Sequence, residues 1–239
     1  MLLSILTGLI LMTSETYEIT YIPPYLYRKQ QEAIFSNDRY AIVEGATKSG
    51  KTVACLSWLL EKAMLGNPGN NFWWIAPVYP QAKIAFRRLK RAISQRLYTV
   101  NESELTITLR NGAIIGFKSA EKPDNLYGED VFAAVLDEAT RMREESWHAI
   151  RSTLTATMGS VRIIGNVKGR RNWAYRLARQ AETKSIDWHY AKLTAWDAVD
   201  AGILEHGEIE DAKRILPDHI FKELYLAEPS DDGGNPFGV

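Results

Sequence analysis

The chain is poor in the features that mark several protein classes. A single cysteine among 239 residues, Cys55, excludes an internal disulfide framework and suits a reducing compartment. The four histidines, His148, His189, His206 and His219, have no metal-ligand spacing among themselves or with Cys55, so no structural zinc is expected. Lys+Arg and Asp+Glu both total 29, so no global charge excess advertises nucleic acid, and any such surface must be local. There is no internal repeat and no low-complexity tract. Residues 1–12 are the only long apolar run at the start of the chain. They are too short to span a bilayer, which takes about 20 residues, and lack the basic flank and cleavage site of a signal peptide. They are expected to be a leader, with Met12 an alternative start.

What is present is a core-forming composition, 46% hydrophobic, in a length that fits one large α/β domain. Gly45-Ala46-Thr47-Lys48-Ser49-Gly50-Lys51-Thr52 fits the phosphate-loop pattern G-x-x-x-x-G-K-[ST] at every fixed position. It stands between an apolar strand, 40–44, and a helix, 52–60. That order turns backbone N–H groups inwards and places a helix N-terminus beside the phosphates. Lys51 is then expected to reach the β- and γ-phosphates of ATP, and Thr52 to offer its hydroxyl to Mg²⁺. Upstream, Gln30 lies in a short helix over 27–35, where its amide can pair with the adenine edge.

Further along, 71–77 reads as a buried strand and 81–96 as an amphipathic helix with the apolar stripe Ala82, Phe86, Leu89 and Ile93. Lys83, Arg87, Lys90 and Arg91 gather on its other face, a solvated surface or a candidate contact for DNA phosphates. Asn111-Gly112 predicts a hairpin joining 105–109 to 113–117. Residues 131–136 read as a strand buried on both faces that runs into Asp137-Glu138. Asp137 is expected to hold Mg²⁺, and Glu138 to polarise a water for attack on the γ-phosphate. A helix over 144–158, a strand over 161–164 ending in Gly165-Asn166, a helix over 172–181, a strand over 186–193 and helices over 208–215 and 218–227 follow. Strands alternating with helices point to an α/β fold with a mostly parallel sheet flanked by helices.

Taken together, these residues resemble the N-terminal ATPase domain of tailed-phage terminase large subunits. The marks are Gln30, the phosphate loop, Phe-Trp-Trp-Ile-Ala-Pro at 72–77, Val-Leu-Asp-Glu-Ala at 135–139, Ile-Ile-Gly-Asn-Val-Lys-Gly at 163–169, and the stretches 193–197 and 221–229. The resemblance implies a P-loop NTPase fold of the RecA-like, ASCE type, with a β-hairpin insertion and a small C-terminal helical subdomain. The implied division is a leader at 1–16, an ATPase core at 17–195, a helical lid at 196–228 and a linker at 229–239. It also implies ATP-driven translocation of double-stranded DNA into a viral procapsid, in the host cytoplasm. The implied partners are further copies in a ring on a portal and a small terminase subunit, with no membrane. Asn166 would sense the γ-phosphate.

The chain departs from the family in two places. Many relatives carry an arginine where Thr47 stands, and another where Tyr127 precedes Gly128. A trans-acting cation is therefore sought among Lys48, Arg141, Arg170 and Arg171. The run Lys168–Arg171 is a second candidate for DNA contact. The end of the chain resembles the linker into a nuclease domain, and no carboxylate set for two metals follows, so no nuclease activity is expected. A helicase-like ATPase is the alternative, and a regulatory nucleotide binder a third reading that Glu138 argues against. The N-K-x-D order that reads guanine is missing at 166–169.

Overall fold

The computed structural model describes residues 6–12 and 15–229. Two compact units share the chain. One holds residues 1–25, 56–135 and 145–160, and the other 26–55, 136–144 and 161 onwards.

In the first unit, β1 (Leu6–Met12) pairs antiparallel with β2 (Glu15–Tyr21), so much of the stretch expected as a leader is a strand. The main strands are β4 (Asn71–Ala76), β5 (Tyr98–Asn101), β6 (Thr106–Leu109), β7 (Ile114–Ser119) and β8 (Val131–Leu136), in the order β8-β4-β7-β6-β5. β4 and β7 are parallel, while β6 pairs antiparallel with both β7 and β5. The Asn111-Gly112 hairpin forms as expected, with Ile107 opposite Ile115. Gly112 adopts φ 83°, a left-handed conformation that strains any side chain. Helix α3 (Tyr79–Ala92) buries Ala82, Phe86 and Leu89, and Phe86 meets Phe117 edge-on at 5.5 Å. It stops short of the expected end because Ile93 is already extended, although its side chain stays buried.

The second unit carries three parallel strands in the order β10-β3-β9: β3 (Tyr40–Gly45), β9 (Ser160–Gly165) and β10 (His189–Leu193). β3 is buried along its whole length, as expected for a strand with neighbours on both sides and cover on both faces. Helices α1 (Arg28–Ile34) and α5 (Trp173–Glu182) pack on β3 and β10. Arg162, 1% exposed on β9, donates to the carbonyls of Ile34 (2.6 Å), Ser36 (2.7 Å) and Asp38 (3.1 Å). It thereby satisfies the polar groups that end α1 and fixes that helix beside the strand. Burial pulls this guanidinium down to about 10.

The expected C-terminal helices are α6 (Ala195–Asp200), α7 (His206–Ile215) and α8 (Asp218–Phe221). After α8 the chain makes a π-helical turn, Lys222–Leu226, closed by Ala227 at φ 50°, where a continuous α-helix was expected. Ile209 and Phe221 form a small core with Ala195 and with Ala46 of the phosphate loop, joined by Trp196, Val199 and Leu216. This helical segment therefore belongs to the same unit as the loop. Helices α2 (Lys51–Met64) and α4 (Glu144–Thr153) pass from one unit into the other. α4 ends before the expected 158, because Leu154 onwards turns back and Met158 is left-handed at φ 55°. The expected linker beyond residue 229 lies outside the described residues.

Candidate active site

All the elements of the predicted site except the basic face of α3 lie in the second unit. β3 ends at Gly45 and α2 starts at Lys51, so the loop between them joins a strand end to a helix start. The N–H groups of the first helical turn have no intrahelical acceptor and are available to an anion. The loop is held from outside. Ala46 N–H donates to the Leu193 carbonyl (2.7 Å) and Thr47 N–H to that of Leu224 (2.6 Å), which ties the loop to β10 and to the π-helical turn. Tyr27 donates its hydroxyl to the Ser49 carbonyl at 2.9 Å. Lys48 and Gly50 take positive φ, 62° and 81°. A Cβ on Gly50 would lie 2.1 Å from Gln30 Nε2, and one on Gly45 2.8 Å from Lys51 Cδ, so close packing favours both glycines, and backbone freedom is needed at Gly50.

Lys51 is 5% exposed. Its Nζ donates to Asn166 Oδ1 at 2.8 Å and to the Ala46 carbonyl at 3.1 Å, and lies 3.9 Å from Glu138 Oε1. Burial lowers its pKa from the ordinary lysine value, while Glu138 and Asp137 work in the opposite direction. Asn166 turns its amide nitrogen to Thr47 Oγ1 at 3.0 Å, so one side chain bridges the lysine and the far side of the loop. Glu138 follows β8 in the left-handed region, φ 53°. Such a conformation in a non-glycine residue costs about 1–3 kcal/mol and is concentrated at functional sites. It aims the carboxylate at the lysine.

Thr52 and Asp137 adjoin Lys51 and Glu138 along the chain and are partly exposed. A hydroxyl and a carboxylate are hard oxygen donors, the set that fits Mg²⁺ when phosphates supply further ligands. Among the described residues no group of three or more His, Cys, Asp or Glu could hold a metal by itself. The buried Cys55 thiol is pushed up by burial and by Asp137, so it is an inert packing group.

The structure therefore brings Lys51, Asn166, Glu138 and the loop together. Gln30 is also there, 3% exposed, with Oε1 accepting the Tyr27 N–H at 3.1 Å and Nε2 against Gly50. Lys48, Arg141, Arg170 and Arg171 are exposed. On α3, Lys90, one of the expected DNA contacts, is paired with Glu102 and lies over the Phe86 ring. Lys83 is half-buried, whereas Arg87, Arg91 and the neighbouring Arg88 are exposed. Sequence reasoning missed Tyr27, and it missed Glu44, which is buried and paired with Arg179 and Tyr190. The available signal was a lone carboxylate in an otherwise apolar strand.

A phosphate loop between strand and helix, an acidic pair after a second strand and an asparagine just after a third are the parts of a P-loop NTPase fold of the RecA-like type. The chain belongs to the terminase large subunit family, T4likevirus-type, N-terminal, whose model matches residues 42–239. The large terminase subunit of Thermus virus P23-45 is 29% identical over 204 residues, which cover 69% of this chain and 41% of that protein. The chain thus spans less than half the length of the curated relatives it matches. Among solved structures, the large terminase ATPase domain of Thermus phage P74-26 superposes with a TM-score of 0.73 at 24% identity, covering 85% of this chain and 94% of that one. The large terminase of another thermophilic bacteriophage, solved with ADP, gives a TM-score of 0.67 at 19% identity, with 84% and 52% covered. At these identities the structures establish the fold.

Proposed function

We propose that the chain hydrolyses ATP and that, in the assembled packaging machine, this hydrolysis drives double-stranded DNA into a viral procapsid. The observation that carries the reading is the convergence of Asn166 and Glu138 on Lys51. A pure nucleotide binder needs the lysine but has no use for a carboxylate beside it. Lys51 leaves its protein partners for the β- and γ-phosphates, and Asn166 loses one partner when it does so, which makes it a sensor of the γ-phosphate. Glu138, released from Lys51, orients a water and takes its proton. Thr52 and Asp137 would hold Mg²⁺, whose positive charge would help neutralise the phosphate oxygens. Gln30, with Oε1 committed to Tyr27, offers only its Nε2 donor to adenine. The family relationship supports nucleotide binding, as does the thermophilic bacteriophage's large terminase, solved with ADP and also with ATP-gamma-S.

DNA contact is assigned to Arg87, Arg88 and Arg91, the exposed cations of α3. Partner copies in a ring, a small terminase subunit and a place in the host cytoplasm are part of the same reading, which family membership supports. Among the described residues no helix is long and apolar enough to cross a membrane. Lys48, Arg141, Arg170 and Arg171 are the cations from which a neighbouring copy would complete the site. Such a group can contribute about 10³–10⁵ in rate.

The test is steady-state ATP hydrolysis against protein concentration, with and without double-stranded DNA, and with Glu138→Gln as the blank. Specific activity that rises with concentration supports completion of the site by a neighbour. Activity equal to the blank under every condition refutes hydrolysis by this chain.

A further inference from the structure

Glu44 is the last side chain of β3 before the phosphate loop, so a carboxylate adjoins a loop built for a polyanion. The side chain is 9% exposed. Its Oε2 accepts from the Tyr190 hydroxyl at 2.6 Å and pairs with Arg179 Nη2, which also donates to the Tyr190 oxygen at 2.9 Å. Arg179 Nη1 donates to Glu182 Oε2 at 2.5 Å, and the guanidinium lies 4.9 Å from the centre of the Tyr175 ring and 5.1 Å from that of Tyr190, so its position is set by a second, more exposed carboxylate and by two rings. Glu44 Oε1 makes no hydrogen bond among the described residues. Glu44 also lines a small cavity with Thr140, Gly165, Asn166 and Tyr175, immediately beside the amide that holds Lys51. Arg179 itself belongs to α5, whose first turn is pinned to the segment after Glu138. Asn172 Nδ2 donates to the Thr140 carbonyl and Trp173 Nε1 to that of Met142, each at 2.8 Å.

We propose that Arg179 is a positioning residue for nucleotide binding, its guanidinium cancelling the Glu44 carboxylate behind the phosphate loop so that this pair sets nucleotide affinity along with Lys51. The inference rests on the nucleotide-binding reading above. Without Arg179 the carboxylate has two options: to stay charged and repel the phosphates, or to take up a proton. Burial already holds the Glu44 carboxyl above the usual range, against the pull of Tyr190 and Arg179, and loss of the cation raises it further. The other groups facing it are Tyr175 and Glu182 from α5, and Tyr190 and the register partner Lys192 from β10. Lys192 lies 3.8 Å from Glu228, and the register partner on β9 is the uncharged Gly165.

The test is calorimetric ATPγS binding by the 239-residue chain as wild type, Arg179→Met, Glu44→Gln and the double variant, at pH 6 and pH 8, with thermal melts by circular dichroism as a folding control. At pH 8, Arg179→Met is expected to bind about tenfold more weakly, the size of one uncompensated charge at an intermediate dielectric. Relative to wild type the deficit shrinks at pH 6, and the double variant returns to within about threefold of wild type at both pH values. Unchanged binding by Arg179→Met overturns the proposal, as does a deficit that neither acid nor Glu44→Gln relieves, since either marks a role in packing alone. If Arg179→Met does not fold, Glu44→Gln decides: binding at least as tight as wild type supports the proposal, and weaker binding overturns it. Wild-type chain that binds no ATPγS removes the nucleotide reading itself, an outcome distinct from a failure confined to the variants.

Discussion

Replacing Glu138 with glutamine separates the two tasks assigned to it, because they respond in opposite directions. In the structure Glu138 Oε1 stands 3.9 Å from Lys51 Nζ and competes with incoming phosphates for that cation. Coulomb's law gives about 4 kcal/mol for such a pair at an effective dielectric of 20 and about 1 kcal/mol in water. The Glu138 side chain is 29% exposed, so screening places the interaction near the lower end, about 1–2 kcal/mol. Neutralising it should therefore tighten ATPγS binding by about 5- to 30-fold. The same change removes the group that accepts the proton of the attacking water and should lower kcat by about 10²–10⁴. Glutamine keeps the shape and can keep the left-handed backbone, so the fold should survive. Calorimetry with ATPγS and a phosphate-release assay on the same preparation read the two effects. Tighter binding with collapsed turnover is the expected result. Unchanged turnover would show that Glu138 is not the base. Weaker binding would show that its pairing with Lys51 does not compete with nucleotide.

Other predictions follow from separate parts of the molecule. Arg162→Met removes the donor to the buried carbonyl of Ile34 and to the part-buried carbonyls of Ser36 and Asp38. It should cost about 2–4 kcal/mol and lower Tm by about 5–15 °C, and an unchanged melt would contradict the role given to this arginine. His189 Nδ1 lies 3.7 Å from Asp38, yet burial holds the imidazole below its usual value. Its contribution to stability is therefore complete above the unfolded value of about 6.5 and is lost as pH falls through the lower folded value. His189→Gln should flatten the fall in Tm between pH 7 and pH 5, and an unaltered slope would count against it. Replacing Arg87, Arg88 and Arg91 together with glutamate should weaken double-stranded DNA binding and reduce the slope of log affinity against log salt by about 2–3. A slope equal to wild type would move the DNA surface elsewhere, with Lys168–Arg171 the next to test.

Much of the site was legible because its chemistry depends on backbone order. Gly50 is required by local conformation, Lys51 and Thr52 by the helix start, and Asp137-Glu138 by the end of a strand whose apolar run stands out in the sequence, while Gly45 is favoured by close packing. The hairpin at Asn111-Gly112 was legible for a similar reason, since a two-residue turn with positive φ selects its residues locally. Helix ends were less so. α3 and α4 stop where Ile93 and Leu154 leave the helical path, and nothing in a period of 3.6 residues marks those points.

Tertiary structure alone decided which of the charged residues matter and how. Lys90 reads as part of a DNA-facing row, and only the structure pairs it with Glu102, twelve positions on. Glu44, Arg179 and Tyr190 are separated by up to 146 positions, and no spacing rule connects them. The parallel pairing of β3 with β10, together with α5 packed on both, puts a carboxylate, a guanidinium and a phenol within hydrogen-bonding reach. The sequence by itself determined that there is a phosphate loop, an acidic pair and an asparagine at a strand end, because each is a local pattern with a local cause. How those parts meet on Lys51, and what stands behind the loop that holds it, is decided by long-range strand order, which a one-dimensional pattern does not carry.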